Sequence, residues 1–517
     1  MEIELKLLFS PADLRALPAH ACVREHMRVA HRSVVLHSIY FDTPEGDLRN
    51  RGIALRLRRE RGRWIQTLKG PGEAVAGLHS RGEFEWRVPR EALDPGLLAQ
   101  TPHANLFQKR RVRETLAPVF TTGFRRRVIE LKFADDTEAG LCLDAGEIRA
   151  GGRVEPISEA EIEIVRGDPR TLIGFAIDLS QTVPFRLGHS SKAERAWQLA
   201  LGEPARPRKA ARIELDADAA AAQSAVVIIS ACLSQIGANS EGAIAGKEPE
   251  FLHQLRVGLR RLRVALALIR DERWRKAIEP EKRELEWLSS VLGPARNWDV
   301  FVTELLPPIA CHCGYRQVAS LRARAAAQRR RHGAAASEAI ASPRFAAFCL
   351  RLASMLIELQ SADIRPQPLP EGAATAAPEE AWIPDVRRFS ADALERRRRK
   401  LLSSAPGDPR PATEALHRLR IEAKKLRYTA EFFASLYPGR KLRRHVRSLA
   451  ALQTVLGEAN DTSVAQRMIE QAAQAGAKPL APELRGLAQG WIAATEARAR
   501  DAYGAAWKSY VLARTFW

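Results

Sequence analysis

Glu2-Ile3-Glu4-Leu5-Lys6 alternates a charged with an apolar side chain at every step, the period of a β-strand whose two faces meet different surroundings. The pattern returns in Ala54-Leu55-Arg56-Leu57-Arg58, in Arg81-Gly82-Glu83-Phe84-Glu85-Trp86 and in Glu159-Ala160-Glu161-Ile162-Glu163-Ile164. For one strand, a solvated outer face is the plain explanation. Four such strands within 200 residues shift the balance toward a closed barrel, because a barrel has an interior, and a charged interior is stable around a charged ligand. The competing explanation is an interior network of salt bridges without a ligand, a poor way to build a core because buried ion pairs stabilise weakly.

The rest of the chain reads differently. Around Glu203-Pro204-Ala205-Arg206-Pro207-Arg208-Lys209 the composition turns Pro-, Arg- and Ala-rich, and from about residue 217 it shows long Ala/Leu/Arg-rich helical periodicity. A second Pro- and Ala-rich break runs from Ser361 to Pro384. The two helical halves repeat each other. His253–Arg263 (HQLRVGLRRLR) matches His417–Arg427 (HRLRIEAKKLR), and Leu288–Val300 (LSSVLGPARNWDV) matches Leu452–Val464 (LQTVLGEANDTSV), both at the same offset. Two matches at one offset indicate duplication. The expected architecture is therefore α+β and multidomain. It comprises a strand-built domain over residues 1–202, a linker over 203–216 and an all-α domain over 217–517, with repeats at about 217–360 and 385–515.

Charge separates the halves again. The chain carries a formal net charge of +20, with 31 Lys and Arg against 27 Asp and Glu in residues 1–200 and 50 against 34 beyond. A basic surplus concentrated in the helical part implies a polyanionic partner. The six cysteines form no C-x-x-C pair, and their one cluster, Cys311-His312-Cys313, is too tight to wrap an ion. The apolar tract Ala217–Cys232 is interrupted by Asp218, Gln223 and Ser224, so it reads as an amphipathic or buried helix. No secretion signal and no membrane span are read, and a cytoplasmic location is expected.

Triphosphate chemistry needs Lys and Arg for the phosphoryl oxygens and carboxylates for the divalent cations that bridge them. Both types sit on neighbouring strands: Glu2, Glu4 and Lys6; Arg56 and Arg58; Glu83 and Glu85; Glu159, Glu161 and Glu163; with Lys69, Arg126, Asp144 and Lys192. Carboxylates about 4 Å apart repel by roughly 4 kcal/mol at an effective dielectric near 20, a penalty that a cation removes. Alternation puts Arg126 on the face of Thr122 and Phe124 and turns Arg125 and Arg127 away.

In the helical half, His253, Arg256, Arg260 and Arg263 follow 3, 4, 3 spacing and form one stripe beside Leu252, Leu255, Leu259 and Leu262. His417, Arg420, Lys424 and Arg427 repeat it, and Arg261 and Lys425 add a matched pair. Solvated helix faces are the plain alternative. Cations spaced one helical turn apart, about 5.4 Å, suit a linear polyanion with a charge on each unit.

The ordered series Glu2-x-Glu4-x-Lys6, Arg56-x-Arg58, Gln66-Thr67-Leu68-Lys69, Glu83-x-Glu85, Thr122-x-Phe124-x-Arg126, Leu143-Asp144-x-Gly146, Glu159-x-Glu161-x-Glu163 and Ser191-Lys192 resembles the CYTH family, or triphosphate tunnel metalloenzymes. The resemblance implies an eight-stranded antiparallel tunnel. Its metal ligands would be Glu2, Glu4, Asp144, Glu161 and Glu163, with Glu159 able to share their face. Lys6, Arg56, Arg58, Lys69, Arg126 and Lys192 would be the catalytic phosphate binders. Mg²⁺ or Mn²⁺ is the implied cofactor.

The repeated His-x-Leu-Arg helix, with Leu292-Gly293-x-x-Arg296-Asn297-x-Asp299 and Leu456-Gly457-x-x-Asn460-Asp461, resembles the CHAD family, which is associated with inorganic polyphosphate. Asn297 stands where that family often has an acid. The implied polyphosphate binders are His253, Arg256, Arg260, Arg261, Arg263, His417, Arg420, Lys424, Lys425 and Arg427. Together the two resemblances imply a bacterial metal-dependent inorganic triphosphatase with polyphosphate as a partner, associated with polyphosphate granules. Thiamine or nucleoside triphosphate as substrate, and a non-catalytic polyphosphate adaptor, remain alternatives. Nucleic acid is not expected, since no stacking platform accompanies the basic stripes. Oligomeric state is left open.

Overall fold

A computed structural model describes residues 2–311, 315–361, 385–408, 411–475 and 480–517. His312, Cys313, nearly all of the Pro- and Ala-rich break before residue 385, and the side chain of Glu2 lie outside that description. The chain divides into two compact units, Met1–Pro207 with Ile340–Ile357, and Arg208–Ala339 with Glu358–Trp517. The segment Ile340–Ile357, grouped by its sequence with the helical half, thus belongs to the first unit.

In the first unit the strands are β1 (Glu2–Leu8), β2 (Met27–Asp42), β3 (Ala54–Glu60), β4 (Arg63–Val75), β5 (Leu78–Val88), β6 (Ala117–Lys132), β7 (Glu138–Ala150), β8 (Arg153–Arg166) and the short β9 (Arg186–Leu187). Their order is β5-β4-β3-β2-β6-β7-β8-β1-β9, and a further β5–β1 pairing closes the first eight into an antiparallel barrel. Two-residue turns join β3 to β4 (Arg61-Gly62) and β7 to β8 (Gly151-Gly152), with positive φ at both positions of each. That backbone matches the twist of the flanking strands and is the reason glycine appears there.

Closure explains the alternation. Leu55 and Leu68 point outward and are covered by Leu98, Leu106, Phe107 and Val112 from short helices. The charged side chains of the same strands point inward. Register then sets cross-strand partners on the inner face: Lys6 opposite Glu161 and Glu4 opposite Glu163, Arg126 opposite Asp144, Asp144 opposite Glu159, Lys69 opposite Glu83. Directly opposed residues lie within side-chain reach. Helix α1 (Pro169–Ser180) buries Leu172, Ile173, Phe175, Ala176 and Leu179. Helix α2 (Lys192–Leu201) starts on a Ser191–Glu194 capping box and packs Ala196 and Trp197 on Phe120, Phe124 and Ile148.

The second unit is helical: α3 (Ala221–Ala245), α4 (Pro249–Leu266), α5 (Glu279–Val300), α6 (Tyr315–Ala341), then, after α7 (Pro343–Ser361), α8 (Val386–Ser403), α9 (Thr413–Phe432), α10 (Arg440–Gln474) and α11 (Pro482–Val511). Helix α3 is long and apolar enough to cross a membrane by composition, but 67% of its most apolar window is buried inside the protein, where it packs along α4. The repeated helices α4 and α9 touch each other. The repeated segments in α5 and α10 lead into a shared core in which Trp298, with Phe301 and Leu305 just beyond α5, meets Val464, Ala465 and Met468.

Candidate functional site

The barrel interior is a cavity of about 330 Å³ lined by Glu4, Lys6, Tyr40, Arg56, Arg58, Lys69, Arg81, Glu83, Glu85, Phe124, Arg126, Cys142, Glu161, Glu163 and Lys192, among others. Its charges are unevenly distributed. One arc, built from β1, β6, β7, β8 and the first residue of α2, holds Asp144, Glu159, Glu161, Glu163 and Glu4 around Lys6, Lys192 and Arg126. Lys192 Nζ lies 2.8 Å from Asp144, 2.6 Å from Glu159 and 3.0 Å from Glu161. Lys6 Nζ lies 3.1 Å from Glu161 and 3.5 Å from Glu159. Arg126 donates to Asp144, Glu161 and Glu163.

The other arc, on β3, β4 and β5, sets four cations, Arg56, Arg58, Lys69 and Arg81, among three carboxylates, Glu60, Glu83 and Glu85. Arg56 stands 3.6 Å from Glu83, Arg58 3.1 Å from Glu85 and Lys69 3.0 Å from Glu83. Arg81 reaches across to Glu4 at 3.2 Å. Tyr40 completes this wall, with Arg56 Nη1 3.4 Å from its hydroxyl.

Proton occupancy follows from these contacts. Burial pushes the Lys6 and Lys192 ammonium groups toward neutrality, but the surrounding carboxylates outweigh it: Glu159 and Glu161 hold Lys6 above the ordinary lysine value, and Asp144, Glu159 and Glu161 hold Lys192 well above it. Burial likewise opposes the charge on Glu161, yet Lys192, Lys6 and Arg126 keep its carboxyl well below the usual range. Lys6, Lys192 and Glu161 thus carry their charges near neutral pH.

An interior ion-pair network is therefore present. What separates a lined site from a mere network is the open space inside it, since a core built of ion pairs alone would close on itself. The acidic arc also fits a hard cation. Oxygens of Glu4, Glu161 and Glu163 lie within 4.8 Å of one another, as do those of Asp144, Glu159 and Glu161. All are carboxylates, the donors that Mg²⁺ and Mn²⁺ prefer.

The structure thus gathers Glu4, Lys6, Arg56, Arg58, Lys69, Arg126, Asp144, Glu161, Glu163 and Lys192 around or beside one cavity. Arg127 instead faces out and donates to the Leu14 carbonyl at 3.3 Å, and Arg125 is exposed. The sequence reading did not single out Arg81, Tyr40 or Arg195. Arg81 was legible as the i−2 neighbour of Glu83 on one strand face. Arg195, one helical turn past Lys192, holds Glu155 and Glu159 at 2.6 and 2.8 Å. Tyr40 carries no charge to betray it.

In the helical unit the basic residues sort by partner. Arg261 is buried, donates to Gln235 at 2.9 Å and lies over the Phe432 ring. Arg263 donates to the Leu285 carbonyl and Ser289. Lys425 pairs with Glu422 and Arg427 with Glu431, each at 2.7 Å. His417 Nδ1 lies 3.0 Å from Asn460 Oδ1. Arg256, Arg260, Arg420 and Lys424 remain as a cluster assembled from both repeats, joined by His253 and by Arg296, whose carboxylate contact is Glu304 at 3.4 Å.

Crowding of like charge is visible there. Burial, then Arg260 and Arg296, lowers Arg256 to about 10. Burial, then Arg420 and Arg260, lowers Lys424 to about 7. Burial and Arg296 lower His253 to about 4. Arg260 Nε and Arg420 Nε are buried with no hydrogen-bond partner among the described residues. Asp461, Glu250 and Glu304 act on members of this cluster, but its cations outnumber them.

Family models match at residues 1–197 for the CYTH domain and 227–470 for the CHAD domain. The chain carries a CYTH domain followed by a CHAD domain. The chain is similar to an inorganic triphosphatase from Haemophilus influenzae at 32% identity over 209 residues, 38% of this chain and 54% of that protein, so the match spans about half of the relative's length. The CHAD domain from the plant Ricinus communis is similar at 30% identity with a TM-score of 0.50, covering 60% of this chain and 98% of that one. A Hippeastrum protein described as having a dominant triphosphatase activity matches at 19% identity and a TM-score of 0.30, covering 38% of this chain and 96% of that one. The CYTH family is metal-dependent, in keeping with the carboxylate trios of the tunnel.

Proposed function

We propose that the CYTH tunnel hydrolyses inorganic tripolyphosphate with Mg²⁺ or Mn²⁺, and that the CHAD domain binds inorganic polyphosphate. The observation that carries the first part is the uneven distribution of charge around one cavity: an arc rich in carboxylates able to hold divalent cations faces one in which Arg56, Arg58, Lys69 and Arg81 outnumber the acids. A polyanionic chain bridged by cations is the ligand that such a pair of walls complements. The acids Glu4, Asp144, Glu161 and Glu163 would hold the metal, which, when bound, polarises phosphoryl oxygens and acidifies a water.

The remaining steps belong to side chains of this chain. Arg56, Arg58, Lys69 and Arg81 grip the phosphoryl oxygens and set the chain in line. Lys6, Lys192 and Arg126, held protonated by their acids, stabilise the charge that gathers on the transferring group. Similarity to a triphosphatase supports this reading. The cluster of Arg256, Arg260, Arg296, Arg420 and Lys424, in which cations outnumber the neighbouring Asp461 and Glu304, supports a polyphosphate-binding role for the CHAD domain.

The test is phosphate release from tripolyphosphate, ATP, thiamine triphosphate and long-chain polyphosphate, with and without Mg²⁺ or Mn²⁺, in the wild type, Glu4→Gln and Lys6→Ala. Metal-dependent release that prefers tripolyphosphate and is lost in both variants supports the proposal. Absence of turnover on every substrate, with tight polyphosphate binding that depends on Arg260 and Lys424, replaces it with an adaptor role.

A further inference from the structure

His79 lies on β5 on the same strand face as Arg81 and Glu83, opposite Glu4 on β1. It is buried and does not line the tunnel cavity. Its Nε2 sits 2.8 Å from the Gly188 carbonyl oxygen. A carbonyl only accepts, so Nε2 carries the hydrogen. Gly188 in turn donates its N–H to the Lys6 carbonyl at 2.9 Å, and Lys6 donates its own N–H to the Gly77 carbonyl at 2.9 Å. Gly77 belongs to the turn that leads into β5. His79, Gly188 and Lys6 are thereby closed into one circuit of hydrogen bonds through the β4–β5 turn.

Gly188 also shapes the space beside Lys6. A Cβ on Gly188 would lie 2.5 Å from Lys6 Cγ and 2.8 Å from Lys6 Cδ, so the stem of Lys6 runs directly along the glycine backbone. Three residues later, Ser191 caps α2 and sets Lys192 as its first residue. The backbone that His79 holds therefore abuts one buried lysine and delivers the other. Both ammonium groups meet at Glu161, at 3.1 and 3.0 Å.

We propose that His79 is a positioning residue: by anchoring the Gly188 carbonyl it fixes the segment Gly188–Ser191 and, through it, the placement of both Lys6 and Lys192 in the tunnel. This rests on the triphosphatase reading of that tunnel. His79 itself touches no substrate. Its contribution is the N–H it donates, and a glutamine amide can supply an equivalent donor where leucine cannot.

The experiment compares full-length wild type, His79→Gln, His79→Leu and Gly188→Ala in steady-state tripolyphosphate hydrolysis, with melting curves and crystal structures of each. A misplaced pair of lysines that stabilise the transferring charge lowers kcat/KM by about 30-fold in His79→Leu and Gly188→Ala, mostly through kcat, while His79→Gln stays within about threefold of wild type. In the crystal structures both lysine ammonium groups leave Glu161 in His79→Leu and keep their places in His79→Gln. If His79→Leu keeps wild-type kcat/KM and both lysines in place, or if His79→Gln is as impaired as His79→Leu, the positioning role is wrong. A wild type that does not hydrolyse tripolyphosphate overturns the proposed substrate instead, and the lysine positions then decide this inference by themselves. Should His79→Leu fail to fold, His79→Asn carries the same comparison, because its amide is too short to place a donor where Nε2 meets the Gly188 carbonyl.

Discussion

Arg126 on β6 and Asp144 on β7 stand directly opposite each other and share two parallel hydrogen bonds, Nε to Oδ1 and Nη2 to Oδ2, both 2.8 Å. A planar guanidinium makes that fork, and its third nitrogen is left free to reach Glu163 at 3.1 Å. Lysine keeps the charge and loses the fork. Arg126→Lys is therefore expected to lower kcat/KM for tripolyphosphate by about 10- to 100-fold while the protein stays folded, as steady-state phosphate release and a melting curve would show. Activity equal to wild type would mean that charge alone, not geometry, is what the site needs there.

Two residues along the same strand, Gly146 sits opposite Phe124. A Cβ at this position would fall 2.2 Å from the Gly123 carbonyl oxygen and 2.4 Å from Phe124 Cα. Backbone cannot yield as a flexible side chain does, so Gly146→Ala must prise β6 from β7 beside the Arg126–Asp144 pair. The expected loss is about 2 to 4 kcal/mol of tunnel stability, seen in calorimetry as a downshift of one transition. A second transition, from the helical unit, should stay where it is.

These two residues also show how far the sequence could be read. Strand alternation exposed the charged inner face, because a period of two is a backbone property that survives any tertiary context. The closed barrel followed from asking what could face four charged strands at once. The cross-strand partnerships, such as Lys6 with Glu161, were not legible, since they depend on a register that no single strand encodes. Nor was the division of labour among the basic helix residues. Arg263 and Arg427 occupy the same stripes as Arg256 and Lys424, with Arg261 and Lys425 next to them, yet the structure ties these four to Ser289, Glu431, Gln235 and Glu422. Which cation on a helix finds an acid depends on neighbouring helices, and periodicity does not report those. Arg296 escaped for the same reason: it comes from another helix and joins the cluster only through packing.

Lys424 provides a test of that cluster with a defined sign. Burial, Arg420 and Arg260 bring it down to about 7, whereas an unfolded lysine stays protonated to about 10.4. Between those values the unfolded chain binds the extra proton, so stability rises with pH across this window. Below pH 7 the full cost of the buried charge is present. Lys424→Met should therefore raise the melting temperature of the helical unit by roughly 2 to 4 °C at pH 6, with the gain shrinking by pH 9. The same substitution should weaken binding of long-chain polyphosphate, measured by calorimetry at pH 6. A variant that is both less stable and an unchanged binder would show that Lys424 serves packing rather than an anion.

Glu161 is the carboxylate common to both potential cation trios, Glu4 with Glu163 on one side and Asp144 with Glu159 on the other. It also contacts Lys6, Lys192 and Arg126. Glu163 belongs to one trio and pairs with Arg126. If the trios hold the divalent cation, Glu161→Gln removes charge from both at once and Glu163→Gln from one. The expected order is a loss in kcat of about 100-fold or more for Glu161→Gln against about tenfold for Glu163→Gln, with both variants needing more Mn²⁺ to reach half-maximal rate. Chelation with EDTA should abolish wild-type turnover, and added Mg²⁺ or Mn²⁺ should restore it. Because Lys192, Lys6 and Arg126 overcome burial and hold the Glu161 carboxyl well below its usual range, its stabilising contribution is complete above the unfolded glutamate value of about 4.3 and is lost only as pH falls toward the depressed folded value. Turnover measured from pH 5 to 9 should accordingly show no acid limb from this residue. An acid limb near pH 6 that disappears in Glu161→Gln would mean that the carboxylate is not held ionised by the lysines, and the ion-pair geometry on which the site rests would be wrong.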